Sequence, residues 1–114
     1  MAKVEIIRSL FEEIKKKFKG GSHEIIDLME SLEKSPQKGK LLGAVGGIVI
    51  KELRYKSFRF FFVTDGYKLK FFDEQNLADM LIKFVRMSDK KHQQQTINEI
   101  KKILINIGSK GFNN

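Results

Sequence analysis

An α+β domain is what the sequence predicts: an N-terminal helical hairpin packed on a small, mainly antiparallel twisted sheet, with a C-terminal helix. Three observations predict it. Two apolar stripes at helical spacing flank Gly20-Gly21, alternating apolar and charged residues rich in phenylalanine fill positions 48–72, and helical spacing returns between Ile97 and Ile107. A single domain over residues 1–110 accounts for all three, with 111–114 expected to fray.

Residues 2–7 are a short strand or the lead-in to the first helix. From Ser9, Leu10, Phe11, Ile14 and Phe18 fall on one helical face, with Glu12 and Glu13 in the first turn and Lys15 to Lys19 in the last, as the helix dipole favours. Gly20-Gly21 ends that helix. Ser22 is a candidate cap for a second, whose stripe is Ile25, Leu28, Met29 and Leu32 and which stops before Pro36, the one proline. Lys38 to Gly47 is basic and glycine-rich, but Gly39, Gly43, Gly46 and Gly47 fit neither a P-loop nor a dinucleotide fingerprint, so the glycines read as bends leading into the sheet.

The sheet is centred on Ile48 to Val63. A two-residue turn at Lys56-Ser57 sets Arg54 opposite Arg59 and Glu52 opposite Phe61. Asp65-Gly66 carries the residue pair of a tight hairpin, which would set Val63 opposite Lys68 and Phe61 opposite Lys70. Side chains alternate across a strand, so one face would gather Glu52, Arg54, Arg59, Lys68 and Lys70 around Phe61 and Phe72, and the other Leu53, Phe58, Phe60, Phe62, Leu69 and Phe71. The second face is the core. The first collects four cations, which destabilises a sheet unless an anion compensates or long side chains simply solvate an open face. After the polar segment Asp73 to Met80, Leu81 to Met87 reads as a further strand. Ser88 or Asp89 is then expected to cap a last helix with apolar positions Ile97, Ile100, Ile103, Leu104 and Ile107, stopped at Gly108.

Charge narrows the function classes. The chain of 114 residues has a net charge of +8; residues 1–50 hold nine Lys/Arg against seven acids and residues 51–114 hold thirteen against seven. A polyanion partner is therefore expected to engage mainly the second half, with nucleic acid, the ribosome, an anionic membrane or an acidic protein as the classes. The absence of cysteine excludes disulfides and thiol catalysis and fits a reducing compartment. With no signal peptide and no apolar run of membrane-spanning length, a cytoplasmic location is expected.

Two histidines, His23 and His92, without an acidic cluster at ligand spacing argue against a metal site, and no nucleophile motif marks a hydrolase triad. Phosphodiester cleavage needs less. RNA supplies its own nucleophile in the 2′-hydroxyl, leaving the protein to provide a proton acceptor, a proton donor and cations for the charge that develops on phosphorus. The candidates are Glu52 as base, Arg54 and Arg59 as phosphate clamps, and Arg86, Lys90, Lys91 and His92 as a second cluster, with Lys51, Lys56, Lys68, Lys70 and Lys83 as further nucleic-acid contacts. Lys90 and Lys91 in the first turn of the last helix would oppose its dipole, a broken rule of the kind that marks sites.

These residues resemble a known family. Lys40-Leu-Leu-Gly43, Ile50-Lys-Glu52-Leu-Arg54 and Phe58-Arg59-Phe-Phe-Phe62, preceded by two helices, resemble the central sheet of the RelE/HigB toxins of toxin-antitoxin systems. Phe84-Val-Arg86-Met-Ser88-Asp-Lys90-Lys91 resembles the segment that ends the last strand of phage-related HigB-like members. The resemblance implies a ribosome-dependent mRNA endoribonuclease without cofactor, neutralised by a cognate acidic antitoxin, with homodimerisation compatible with the sequence. It carries the family's strand arginines to Arg54 and Arg59 and its last-strand basic residue to Arg86. A proton-transfer position, lysine in RelE, falls on Glu52. The segment Asp73 to Met80 is extra, and only His92 could replace the tyrosine or histidine usual beyond the last strand. The same fold also hosts ParE-like gyrase inhibitors and would host a catalytically inactive binding protein.

Overall fold

A computed structural model describes residues 2–70 and 80–112. The expected α+β architecture is present. Strand β1 (Lys3–Ile6) leads into helices α1 (Arg8–Phe18) and α2 (Ser22–Glu30), followed by β2 (Lys40–Val45), β3 (Ile48–Tyr55), β4 (Phe58–Asp65), the short helix α3 (Gly66–Lys70), β5 (Leu81–Asp89) and helix α4 (Gln93–Asn106). The five strands lie in the order β1-β5-β4-β3-β2; β1 runs parallel to β5 and every other pair is antiparallel.

The central hairpin has the register that its alternation dictates. Lys56 and Ser57 form the turn, Arg54 lies opposite Arg59, and Glu52 opposite Phe61. On one face, Phe18 of α1 packs its ring edge-on against Phe58 at 5.1 Å and Tyr55 at 6.4 Å, placing the helical hairpin over the phenylalanine side of the sheet. Ile14, Ile25, Met29, Phe60, Phe62 and Phe84 are fully buried.

A strand β2, with its own turn, occupies the segment read from its glycines as bends. Gly46 and Gly47 both have positive φ, 56° and 88°, as a two-residue hairpin turn requires, and they join Val45 to its partner Ile48. The Asp65-Gly66 hairpin, by contrast, is replaced by α3. Asp65 Oδ1 accepts hydrogen bonds from the backbone N–H groups of Tyr67 (2.9 Å) and Lys68 (3.2 Å), capping a helix rather than closing a turn. Gly66 answers a different need from positive φ: a Cβ there would lie 2.9 Å from the Gly47 carbonyl oxygen, to which its own N–H donates at 2.8 Å. Lys68 and Lys70 therefore leave the sheet, and the expected neighbours Phe71 and Phe72 lie outside the described residues. Replacing Asp65 by alanine is expected to cost about 1 kcal/mol through loss of the cap. Urea unfolding measures it, and no loss would show that the cap does not hold α3.

In place of a hairpin partner, β4 pairs with β5. Phe58 faces Asp89, Arg59 faces Ser88, Phe61 faces Arg86 and Val63 faces Lys83. A bulge leaves Val85 as the extra residue between Arg86 and Phe84, which faces Phe62. Without it, Phe84 and Arg86 would share a face; with it, Phe84 joins the helical-hairpin core and Arg86 turns to the opposite side.

That opposite side is covered as well. Helix α4 lies across it: Gln93 reaches Glu52, Arg86 Nε donates to Glu99 Oε1 at 2.8 Å, and Gly43 of β2 sits beneath Lys101. Ile97, Ile100 and Leu104 are buried, as is Phe112, in a final turn Ser109–Phe112. The expectation of fraying is thus corrected for Gly111 and Phe112, because the Phe112 ring packs under Arg86, 5.5 Å from its guanidinium carbon. Among the described residues no helix is long and apolar enough to cross a membrane.

Candidate nucleic-acid interface

The expected catalytic residues converge on one end of the sheet, but they divide into a buried pair and an exposed rim. Glu52 and Arg59 are only 3% and 4% exposed, and Arg59 Nε lies 3.8 Å from Glu52 Oε2. Gln93, at the start of α4, donates its amide to Glu52 Oε1, while an Arg59 terminal nitrogen donates to the Ser57 carbonyl at 3.1 Å. Arg59 Nε has no hydrogen-bond partner. A carboxylate, a guanidinium and an amide thus close on one another beneath α4, so neither Glu52 nor Arg59 faces solvent as an RNA contact would require.

The rim lies around this pair. Arg54, directly opposite Arg59, is exposed, as is Lys56 in the turn beyond it. Pairing of Phe58 with Asp89 brings the connection Lys90-Lys91-His92 out beside that turn, and all three residues are exposed. Ser88 and Asp89 are the last residues of β5, and α4 begins only at Gln93. This corrects the expected helix start: Lys90 and Lys91 precede the helix rather than occupying its first turn, and the conflict with the dipole disappears. From the end of α1, Lys17 completes the group, its ammonium 5.1 Å over the Phe58 ring.

Within the rim, Asp89 and His92 form a pair. Asp89 Oδ1 receives both the backbone N–H of His92 and its ring Nδ1, each at 2.8 Å. These hydrogen bonds, the backbone one foremost, hold the Asp89 carboxyl below the usual carboxylate range, with the charge of Lys17 adding to them. A carboxylate only accepts, so Nδ1 carries the hydrogen and Nε2 is left as the basic nitrogen. Sequence reasoning used Asp89 as a helix cap only. The Asp-x-x-His spacing across a strand end was the signal for its second role.

The remaining candidates are not part of the rim, although Arg86 stays in the row of the buried pair, facing Phe61, which in turn faces Glu52. Arg86 is pinned by Glu99, by the Val85 carbonyl at 2.7 Å and by the Phe112 ring. Lys51 is buried on the helical-hairpin side; its ammonium donates to the Gln37 carbonyl at 3.0 Å, and burial lowers its pKa. Lys68, Lys70 and Lys83 sit at the far end of β4, on the order of 20 Å from the rim at about 3.3 Å per strand residue. There Lys68 and Lys83 line a cavity of about 230 Å³ with Ile48, Asp65 and Ser109. Among the described residues no group of three or more histidines and acids is placed to hold a metal ion. No family model, curated protein or solved structure matches this chain.

Proposed function

We propose that the chain is a RelE/HigB-type toxin, a cytoplasmic endoribonuclease that cuts ribosome-bound mRNA without a metal and is neutralised by an acidic antitoxin. The exposed Asp89–His92 pair among Arg54, Lys56, Lys90 and Lys91 carries this reading. In the proposed step His92 Nε2 accepts the proton of the RNA 2′-hydroxyl, O2′ bonds to phosphorus, and the bond from phosphorus to O5′ breaks to leave a 2′,3′-cyclic phosphate. The departing O5′ takes a proton from the ammonium of Lys90 or Lys91, and Arg54 stabilises the charge that develops on the phosphoryl oxygens. Glu52 and Arg59, which the resemblance implies as site residues, act here by fixing the strands and the start of α4.

Their closure under α4 favours a second reading, in which the same rim binds RNA or a protein partner and cuts nothing. Purified ribosomes carrying mRNA, in the presence of chelator, separate the two. Under the first reading His92→Ala is expected to lower the cleavage rate by about 100-fold or more, the usual range for losing a proton-transfer group, while the protein stays folded. Cleavage unchanged in His92→Ala removes His92 from the chemistry. RNA bound but intact supports the second reading, and intact mRNA with inhibited DNA supercoiling supports a ParE-like activity.

A further inference from the structure

On the α1 side of the same end, Phe18, Tyr55 and Phe58 form an aromatic group that is not fully buried. Phe18 meets both other rings edge-on. The faces of those two rings are occupied by ammonium groups: Lys17 Nζ lies 5.1 Å from the centroid of Phe58, and Lys56 Nζ 5.3 Å from that of Tyr55. A lysine ammonium retains its water, so a ring face that it occupies is open to solvent rather than sealed in the core. The Tyr55 ring is held from behind, its hydroxyl donating to Glu24 Oε2 at 3.0 Å. Lys56 itself is fixed in the left-handed region at φ 55°, which keeps its side chain at the tip of the hairpin.

We propose that Tyr55 and Phe58 are a stacking platform for an unpaired base of single-stranded RNA, with Lys17 and Lys56 swinging off the rings to take the flanking phosphates. The proposal rests on the RNA-binding reading above and assigns the surface on which bases, rather than phosphates, are held. Two ring faces bordered by flexible cations are the combination that binds single strands with little sequence preference, because every base has a π-face and every linkage a charge. Stacking on an aromatic ring outweighs an exposed cation over the same ring, so the base displaces the lysine.

The chain has no tryptophan and two tyrosines, so a Tyr67→Phe background leaves Tyr55 as the single tyrosine emitter. Titration with an oligouridylate of about ten nucleotides is expected to quench Tyr55 emission, and the oligouridylate to bind more tightly than an abasic strand of equal length. Tyr55→Leu and Phe58→Leu, each keeping an apolar side chain, are expected to weaken oligouridylate binding about tenfold and to leave abasic binding unchanged. Should either variant fail to fold, the quench in the Tyr67→Phe protein decides alone. Equal affinity for the two strands without quenching overturns the platform and leaves the phosphate rim standing. Failure to bind either strand overturns both readings, and quenching by oligoglutamate but not by RNA overturns the platform in favour of an acidic protein segment.

Discussion

Glu52→Ala is expected to cost about 3 to 5 kcal/mol, because it leaves the Arg59 guanidinium buried without its carboxylate. Folded domains of this size have only about 5 to 15 kcal/mol in hand, so the variant should unfold at a markedly lower urea concentration. Arg59→Ala should do the same by stranding Glu52, whose remaining partner, Gln93, is neutral. The double change Glu52→Leu with Arg59→Met is expected to be near neutral, since well-packed apolar residues replace a buried pair at little cost. That double variant also separates structure from chemistry. If cleavage depends on His92 and the rim, the folded double variant still cuts RNA; if Glu52 and Arg59 touch the substrate, it is folded and inactive. A loss below about 1 kcal/mol for Glu52→Ala would mean that water reaches the pair and that α4 does not close over it.

How far the chain could be read follows from which interactions are local. The β3–β4 hairpin was legible to the residue, since alternation and a two-residue turn determine register without reference to anything distant. Asp65-Gly66 misled because the same two residue types serve two geometries. Aspartate caps helices as readily as it enters turns, and Gly66 is needed for the approach of Gly47, a contact between positions far apart in sequence. The Gly46-Gly47 turn carried the better hairpin signal, but the bends read from its glycines hid it, although the family resemblance placed Lys40 to Gly43 in the sheet. The Val85 bulge shows in no pattern of side chains, yet it decides which face receives Arg86.

The charged face, expected either to meet an anion or to stand open to solvent, is instead covered by α4. Along that face Ile48, Ile50 and Val63 lie at the far end, Glu52 stands opposite Phe61 midway, and Arg54 and Arg59 lie at the hairpin tip, so it is apolar for about half its length. A third amphipathic helix had its own stripe, Ile97, Ile100 and Leu104, and the phenylalanine face was already taken by α1 and α2. Counting stripes against faces would have put α4 on the charged side. The buried Glu52–Arg59 pair is what permits it, by neutralising the charge that α4 covers.

Phe61→Ala tests this arrangement most directly. Phe60 and Phe61 point to opposite faces of β4, yet both are fully buried. In a sheet covered on one side only, truncating Phe60 would be severe and truncating Phe61, on the open side, would not. With α4 in place both changes are expected to cost about 3 to 5 kcal/mol, the range for emptying a phenylalanine site in a packed core, measured by urea unfolding at neutral pH. Phe60→Ala loosens contacts with α1, whereas Phe61→Ala removes the floor beneath α4 and the neighbour of Arg86. Hydrogen exchange should therefore rise first in α1 for the former and in α4 for the latter. If Phe61→Ala costs less than about 1 kcal/mol while Phe60→Ala is severe, helix α4 does not pack on this face, and Glu52 and Arg59 return to the surface as candidates for direct contact with RNA.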